Sequence, residues 1–437
     1  MKEQRKVILK IPKKVKTVEA DVVVVGGGLS GVTTALTCAS NGLKTFLVEK
    51  YGFPGGLIST AFAYPLRVFN FQRNFDELFT EEGTETIKYP IFSTLIRYLL
   101  KNKAVPQFIY PDPLKISGGV IPFDLEMFKN TMLELLLDFK IDLLFHATFV
   151  RAKLMGDTVS SILVLGKEGL IEVKGKYFVD ATGNCAVFKS IDENLTRKVK
   201  SFARYNFVIC GCDFSKDDDR IVCETVKIEN FTYHAYIVEK DGMKVAIYEL
   251  PIKNHCIVFG LSDNSDNEFI PDDLVLISMM EERLQLKVHS FLEYLRQFKP
   301  FEKANISMFP AQIYFTESCR INGMYTLTSE DVFNNKSFDD EIAVLKISVI
   351  AESLFPCVLA PDKKFDNLII RVPFSSFLTR IKNLVAVGRN ASVSEDLKFV
   401  LYSFPLAVKT SESIGRLISF AYKNNLKLNQ IARTKTK

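Results

Sequence analysis

The first strongly patterned stretch is Val22-Val23-Val24-Val25, an unbroken β-branched run. A strand buried on both faces of a parallel sheet carries such a run. From about Ser30 to Ser40 the spacing turns helical, with Val32, Ala35, Leu36 and Ala39 on one face, and Asn41-Gly42 stops it. Lys44-Thr45-Phe46-Leu47-Val48 reads as a second strand. These three segments predict a βαβ unit between residues 20 and 49. Residues 60–118 are aromatic-rich and carry no clear period. Residues 123–138 predict an amphipathic helix with Phe128, Met132, Leu135 and Leu136 as its apolar positions. Short strands follow between 141 and 180, with turns at Gly156-Asp157 and Lys167-Glu168-Gly169. They close on the strand and turn Tyr177-Phe178-Val179-Asp180-Ala181-Thr182-Gly183. Alternation predicts sheet over 200–262, including Tyr233–Val238 and Lys244–Tyr248. Helices are expected at 272–297, about 338–352 and about 404–424, and a strand at Asn383–Val387. No solenoid period and no second GxGxxG occur.

The junction of the first strand and helix carries chemistry. Gly26, Gly28 and Gly31 satisfy GxGxxG between a strand and a helix, the context that makes this pattern specific. Gly26 permits a tight turn, Gly28 lets a diphosphate approach the backbone, and Gly31 lets the helix pack closely on the strand. With Leu29 and Ser30, they place the helix N-terminus, its N–H groups and its positive dipole end, against phosphate. Glu49 ends the second strand, where its carboxylate can accept hydrogen bonds from ribose hydroxyls and repel a 2′-phosphate; Lys50 adjoins it. A nicotinamide or a flavin dinucleotide would satisfy this much. The second glycine pair, Gly55-Gly56, favours a long extended cofactor, because it lets the backbone come close a second time.

The run from Gly26 through Ala35 and Glu49 to Gly55-Gly56 resembles the FAD-binding start of the two-dinucleotide-binding-domain (glutathione-reductase-like) flavoproteins. Ala181-Thr182-Gly183 resembles their strand-turn that packs on the adenosine half of the cofactor. Asn383–Val387 with Gly388 and Arg389 resembles the closing strand that returns to the flavin. More narrowly, Glu317–Val332 and Phe338-Asp339-Asp340 resemble a xanthan-lyase-associated group of FAD-dependent oxidoreductases. There are departures: Thr316 stands where an arginine is usual, Ser411 where a glycine is usual, and Asn184-Cys185 follows Gly183 in place of Gly-Asp. The resemblance implies FAD as cofactor. It implies an α/β fold with a Rossmann-like FAD-binding domain on a three-layer parallel sheet and an inserted α+β substrate domain containing an antiparallel sheet. The expected pieces are 1–65, 119–190 and 366–437 for the FAD domain, and 66–118 with 191–365 for the substrate or cap domain. The expected activity is flavin-mediated hydride or electron transfer on a small organic substrate. A flavin-dependent RNA-modifying protein and a non-catalytic FAD-fold binding protein are the alternatives.

Composition narrows the partners. The 437 residues carry a net charge of +5, but residues 1–16 hold +6 and residues 423–437 hold +5, leaving −6 on the body. Such a body has no coherent basic face, so nucleic acid is not expected. The eight cysteines form no CxxC, and with four scattered histidines they give no metal cluster. No signal peptide or membrane span is apparent, and a reduced cytoplasmic setting is expected. The remaining partner expectations are a small-molecule substrate and a transient NAD(P)H or another electron carrier. Arg67 and Arg320 are the candidates for substrate handling, since a guanidinium binds a carboxylate bidentately. Arg389 is a candidate for touching the cofactor. Tyr233, His234 and His255 read as structural residues on strands.

Overall fold

The computed structural model describes residues 16–78, 89–229, 231–263, 269–315, 318–347 and 368–432. Thr316, Glu317, Cys357 and residues 1–15 and 433–437 of the basic ends lie outside the described residues.

Five parallel strands form the central sheet: β1 (Val22–Val25), β2 (Thr45–Val48), β3 (Asp142–Leu144), β4 (Tyr177–Asp180) and β5 (Leu384–Ala386). Their spatial order is β5-β4-β1-β2-β3. Helix α1 (Leu29–Ser40) connects β1 to β2 as the predicted βαβ unit. The valine run explains itself here. Val22 and Val24 pack with Val32, Ala35 and Leu36 of α1, while Val23 and Val25 face the opposite core with Ile162, Val164, Ile171 and Val173. A strand covered on both faces needs no polar alternation. The second cover is a four-stranded sheet built from Lys16–Glu19, Thr148–Met155, Thr158–Gly166 and Gly169–Lys174.

Helix α2 (Leu125–Asp138) is capped by Asp124, whose side chain accepts the Glu126 and Met127 amides. The other half of the chain forms a seven-stranded antiparallel sheet that includes Ala203–Cys210, Phe231–Lys240, Met243–Glu249 and His255–Leu261. Helix α3 (Leu274–Leu295), capped by Asp273, packs Leu284, Val288, Phe291 and Leu295 against one face of that sheet. Helix α4 (Phe404–Lys423) returns to α1. There a Cβ on Gly415 would stand 2.5 Å from the Thr37 Cβ, and Thr34 Oγ1 donates to the Ser411 carbonyl at 3.2 Å. Ser411 is fully buried at this crossing, so the serine that replaces the usual glycine is accommodated.

The helix expected at about 338–352 is a strand over its described core. Glu341–Ile347 pairs antiparallel with Leu368–Pro373. Ile342, Val344 and Ile347 are β-branched and fit a pleated surface, and their partner strand lies more than 20 residues on, beyond the reach of a local pattern. Residues 348–352 lie outside the described residues. The unassigned 60–118 stretch holds a helix, Pro90–Lys101, and two strands, Leu66–Val68 and Tyr110–Pro111, which pair with Gly119–Ile121.

Candidate functional site

The carboxyl ends of β1, β4 and β5 meet the N-terminus of α1. Gly26 has φ +111°, and a Cβ there would fall 2.3 Å from the Ala181 carbonyl oxygen; one on Gly31 would fall 2.0 Å from the Gly26 carbonyl oxygen. Both positions admit glycine alone because strand, helix and the 181–183 turn touch. Helix α1 has Gly28 as its N-cap, no side-chain cap and no acid in its first turn. Its first N–H groups are therefore left to a ligand, and the dipole favours an anion. A Cβ on Gly28 would meet nothing nearer than the Gly56 Cα at 3.7 Å, so open space lies before that N-terminus.

Glu49 is 6% exposed. Its Oε2 accepts the Gly27 amide at 2.6 Å and its Oε1 the Tyr51 amide at 2.9 Å. The carboxylate is thereby fixed at the end of β2 with lone pairs still available. Gly55 donates to the Gly27 carbonyl at 2.7 Å, which threads the second glycine pair along the first.

Asp180, at the end of β4, is fully buried and organises the next turn. It accepts from the Thr182 hydroxyl at 2.6 Å, the Val187 amide at 2.9 Å and the Asn390 side chain at 3.0 Å. Burial pushes its carboxyl up, and the bonds from Thr182, Phe188 and Val187 act against that. Asn390 also donates to the Asp180 carbonyl at 3.1 Å, tying the β4 turn to the segment after β5.

All fourteen residues expected at the cofactor line one cavity of about 1180 Å³: Gly26, Gly28, Leu29, Ser30, Gly31, Glu49, Lys50, Gly55, Gly56, Ala181, Thr182, Gly183, Gly388 and Arg389. Arg389 donates to the Phe315 and Gly183 carbonyls at 3.1 and 3.4 Å. The same cavity is also lined by Tyr64, Arg67, Phe259, Ile277, Glu281 and Tyr314.

Arg67 lines the cavity and is buried. Its Nη1 lies 2.9 Å from Asp112 Oδ2 and its Nη2 donates to the Tyr248 hydroxyl at 3.3 Å. Asp112 in turn accepts the Leu114, Ile116 and Ser117 amides and the Ser117 hydroxyl. Arg320 does not line the cavity. It is 1% exposed, donates to the Val393 and Ser394 carbonyls, and its charged partner is Glu395 at 3.6 Å. Its side chain is buried against the 393–395 turn. His234 pairs with Glu249 at 2.7 Å and His255 bonds the Lys253 carbonyl; neither they nor Tyr233 line the cavity. Among the described residues there is no cluster fit to hold a metal, no disulfide, and no helix long and apolar enough to cross a membrane.

A parallel sheet with a glycine-lined diphosphate cradle at its carboxyl edge, faced by an antiparallel sheet across one cavity, defines a Rossmann-type dinucleotide-binding protein. Its fold matches p-nitrophenol 4-monooxygenase PnpA from Pseudomonas putida DLL-E4 with a TM-score of 0.50 at 12% identity, over 96% of this chain and 84% of that one. A geranylgeranyl bacteriochlorophyll reductase-like protein from Thermoplasma acidophilum aligns at 0.45 and 12%, over 95% and 82%. The thiamine thiazole synthase of Methanococcus vannielii is 27% identical over 199 residues, which is 42% of this chain and 62% of that protein's length. The chain belongs to the FAD dependent oxidoreductase family, whose model matches residues 21–437, and FAD is its cofactor.

Proposed function

We propose that this protein oxidises or reduces a small organic substrate in the cavity between the glycine cradle and the antiparallel sheet. The observation that carries this is the convergence of all fourteen predicted cofactor residues on one cavity whose far wall is built by other parts of the chain. Gly26, Gly28 and Gly56 with the α1 N-terminus hold the diphosphate, and Glu49 holds ribose hydroxyls. Bound there, FAD supplies two-electron acceptor or donor chemistry. The protein's part is to orient the substrate and exclude water. Tyr64, Phe259, Tyr314 and Phe404 give the wall an aromatic lining, and Arg67, held in place by Asp112, fixes a guanidinium at its edge. That group suits a carboxylate or carbonyl oxygen of the substrate.

Residues 66–118 and 191–365 form the substrate side in this reading. Any NAD(P)H or other electron carrier docks transiently, since the sequence holds a single GxGxxG. The intact cradle glycines favour catalysis over a purely binding role, and the xanthan-lyase-associated group is the narrower assignment of the family. The test is an absorption spectrum of purified protein followed by anaerobic dithionite titration. Flavin bands that bleach on reduction are expected. Colourless protein that also refuses added FAD would overturn the reading.

A further inference from the structure

Helix α3 carries one apolar stripe with a single acid in it. Leu274, Ile277, Glu281, Leu284, Val288, Phe291 and Leu295 recur at spacings of three and four, so all seven fall along one face. From Leu284 onward that face is buried in the sheet core; Leu274, Ile277 and Glu281 line the cavity instead. The acid is thus held by a rigid element at a position where the pattern calls for a hydrophobe.

Four acids line the cavity: Glu49, Glu193, Asp272 and Glu281. Glu49 is fixed by two amides, Asp272 pairs with Lys198, and Glu193 is exposed on a short 3-10 turn. Glu281 is half-buried, and its Oε2 accepts the Ile313 amide at 2.9 Å. Among the described residues nothing bonds its other oxygen, Oε1. Through its Oε2 the side chain is tied to the 312–313 backbone, which reaches the cradle: the Gln312 amide donates to the Thr60 carbonyl at 3.2 Å, and the Thr60 hydroxyl donates to the Gly56 carbonyl at 2.9 Å. Tyr51 and Tyr205 are the titratable groups that feel its charge, and Lys50 reaches the same cluster at 3.5 Å from Gln312 Oε1. Burial raises the Glu281 carboxyl above its ordinary range, with the Ile313 amide acting the other way.

We propose that Glu281 is the proton-transfer residue of this cavity, acting on a substrate that carries a CH–OH or CH–NH group, or the corresponding C=O or C=N. This rests on the function proposed above. In the oxidising direction the substrate O–H or N–H bond breaks toward Oε1, the C–H hydrogen leaves with both bonding electrons to FAD, and the C=O or C=N bond forms. In the reducing direction Glu281 returns the proton to oxygen or nitrogen as the same two electrons and hydrogen arrive at carbon. A carboxyl raised by burial is a stronger base than a free one and holds its proton longer as an acid, which suits both roles.

The experiment compares FAD-loaded wild type, Glu281→Gln and Glu281→Asp. The flavin midpoint potential is measured against pH by anaerobic dithionite titration, and reoxidation of the reduced protein by 1,4-benzoquinone is followed by stopped flow. A bend in the wild-type potential curve above the ordinary carboxyl range is expected. It should vanish in Glu281→Gln and persist, displaced, in Glu281→Asp. The quinone rate should fall on the order of 100-fold in Glu281→Gln, the lower end of what one positioned acid contributes. A bend that survives in Glu281→Gln, its absence from wild type, or an unchanged quinone rate overturns the assignment while leaving FAD chemistry intact. Wild type that binds no reducible flavin overturns the functional reading itself and this inference with it.

Discussion

A Cβ on Gly56 would stand 2.7 Å from the Gly28 Cα, whereas one on Gly28 would keep 3.7 Å from the Gly56 Cα. The chain after the second glycine pair is therefore pressed against the α1 N-terminus, and the open space lies on the Gly28 side. Gly56 also has φ +57°, a conformation that side chains rarely adopt. Gly56→Ala is expected to push the two segments apart and weaken FAD binding by at least about tenfold, or about 1.4 kcal/mol. Fluorescence titration of apoprotein with FAD checks this. Unchanged affinity in a folded variant would place the diphosphate elsewhere.

Glu49 joins the Gly27 and Tyr51 backbone amides. Glu49→Gln keeps an acceptor for one of them and turns an NH₂ toward the other. An unsatisfied buried donor costs about 1–3 kcal/mol, so thermal stability and FAD affinity should fall together. A variant that loses neither would show that Glu49 holds neither the turn nor the ribose.

Arg67 and Asp112 are both buried, so removing one leaves the other charge in a poor environment. Asp112 keeps four local donors when Arg67 is gone, which softens the loss. Arg67→Met is expected to cost about 3 kcal/mol, the low end for breaking a buried pair. The double variant with Asp112→Asn should cost less than the two singles summed. Urea unfolding measures both, and additivity would mean the pair does not interact.

How much of this was legible follows from how far each relationship reaches along the chain. The valine run, α1 and Glu49 lie within 30 residues, and local pattern suffices for them. The cradle needs Ala181–Gly183 and Gly388 as well, and these were found through a motif resemblance, not through spacing. The strand Glu341–Ile347 was mistaken for helix because its partner is remote. Nothing local marked Arg67 as one half of a buried pair, because Asp112 and Tyr248 lie 45 and 181 positions away. Asn390 passed unremarked for the same reason, since Asp180 lies 210 positions away. Glu281 did leave a signal, a lone acid in an otherwise apolar helical stripe, which amphipathic reading alone does not separate from a solvated position.

Cys319 supplies a pH-dependent prediction. A hydrogen bond with Cys185, and the charge of Lys189, pull its thiol from 9.0 down to about 7, whereas burial pushes the Cys185 thiol up. Folding thus favours the Cys319 thiolate. A depressed folded value adds stability that is present above the unfolded value and lost as pH falls through the folded one. Between about pH 7 and pH 9 the wild type should therefore gain stability as pH rises, through Cys319. Cys185 acts in the opposite sense, but its contribution fades only above the ordinary thiol range. The midpoint of urea unfolding, measured in reducing buffer across this window, should climb more steeply in wild type than in Cys319→Ser. Parallel slopes would mean that the thiol beside Cys185 stays protonated, and that the pair is simply two packed core residues behind the cofactor turn.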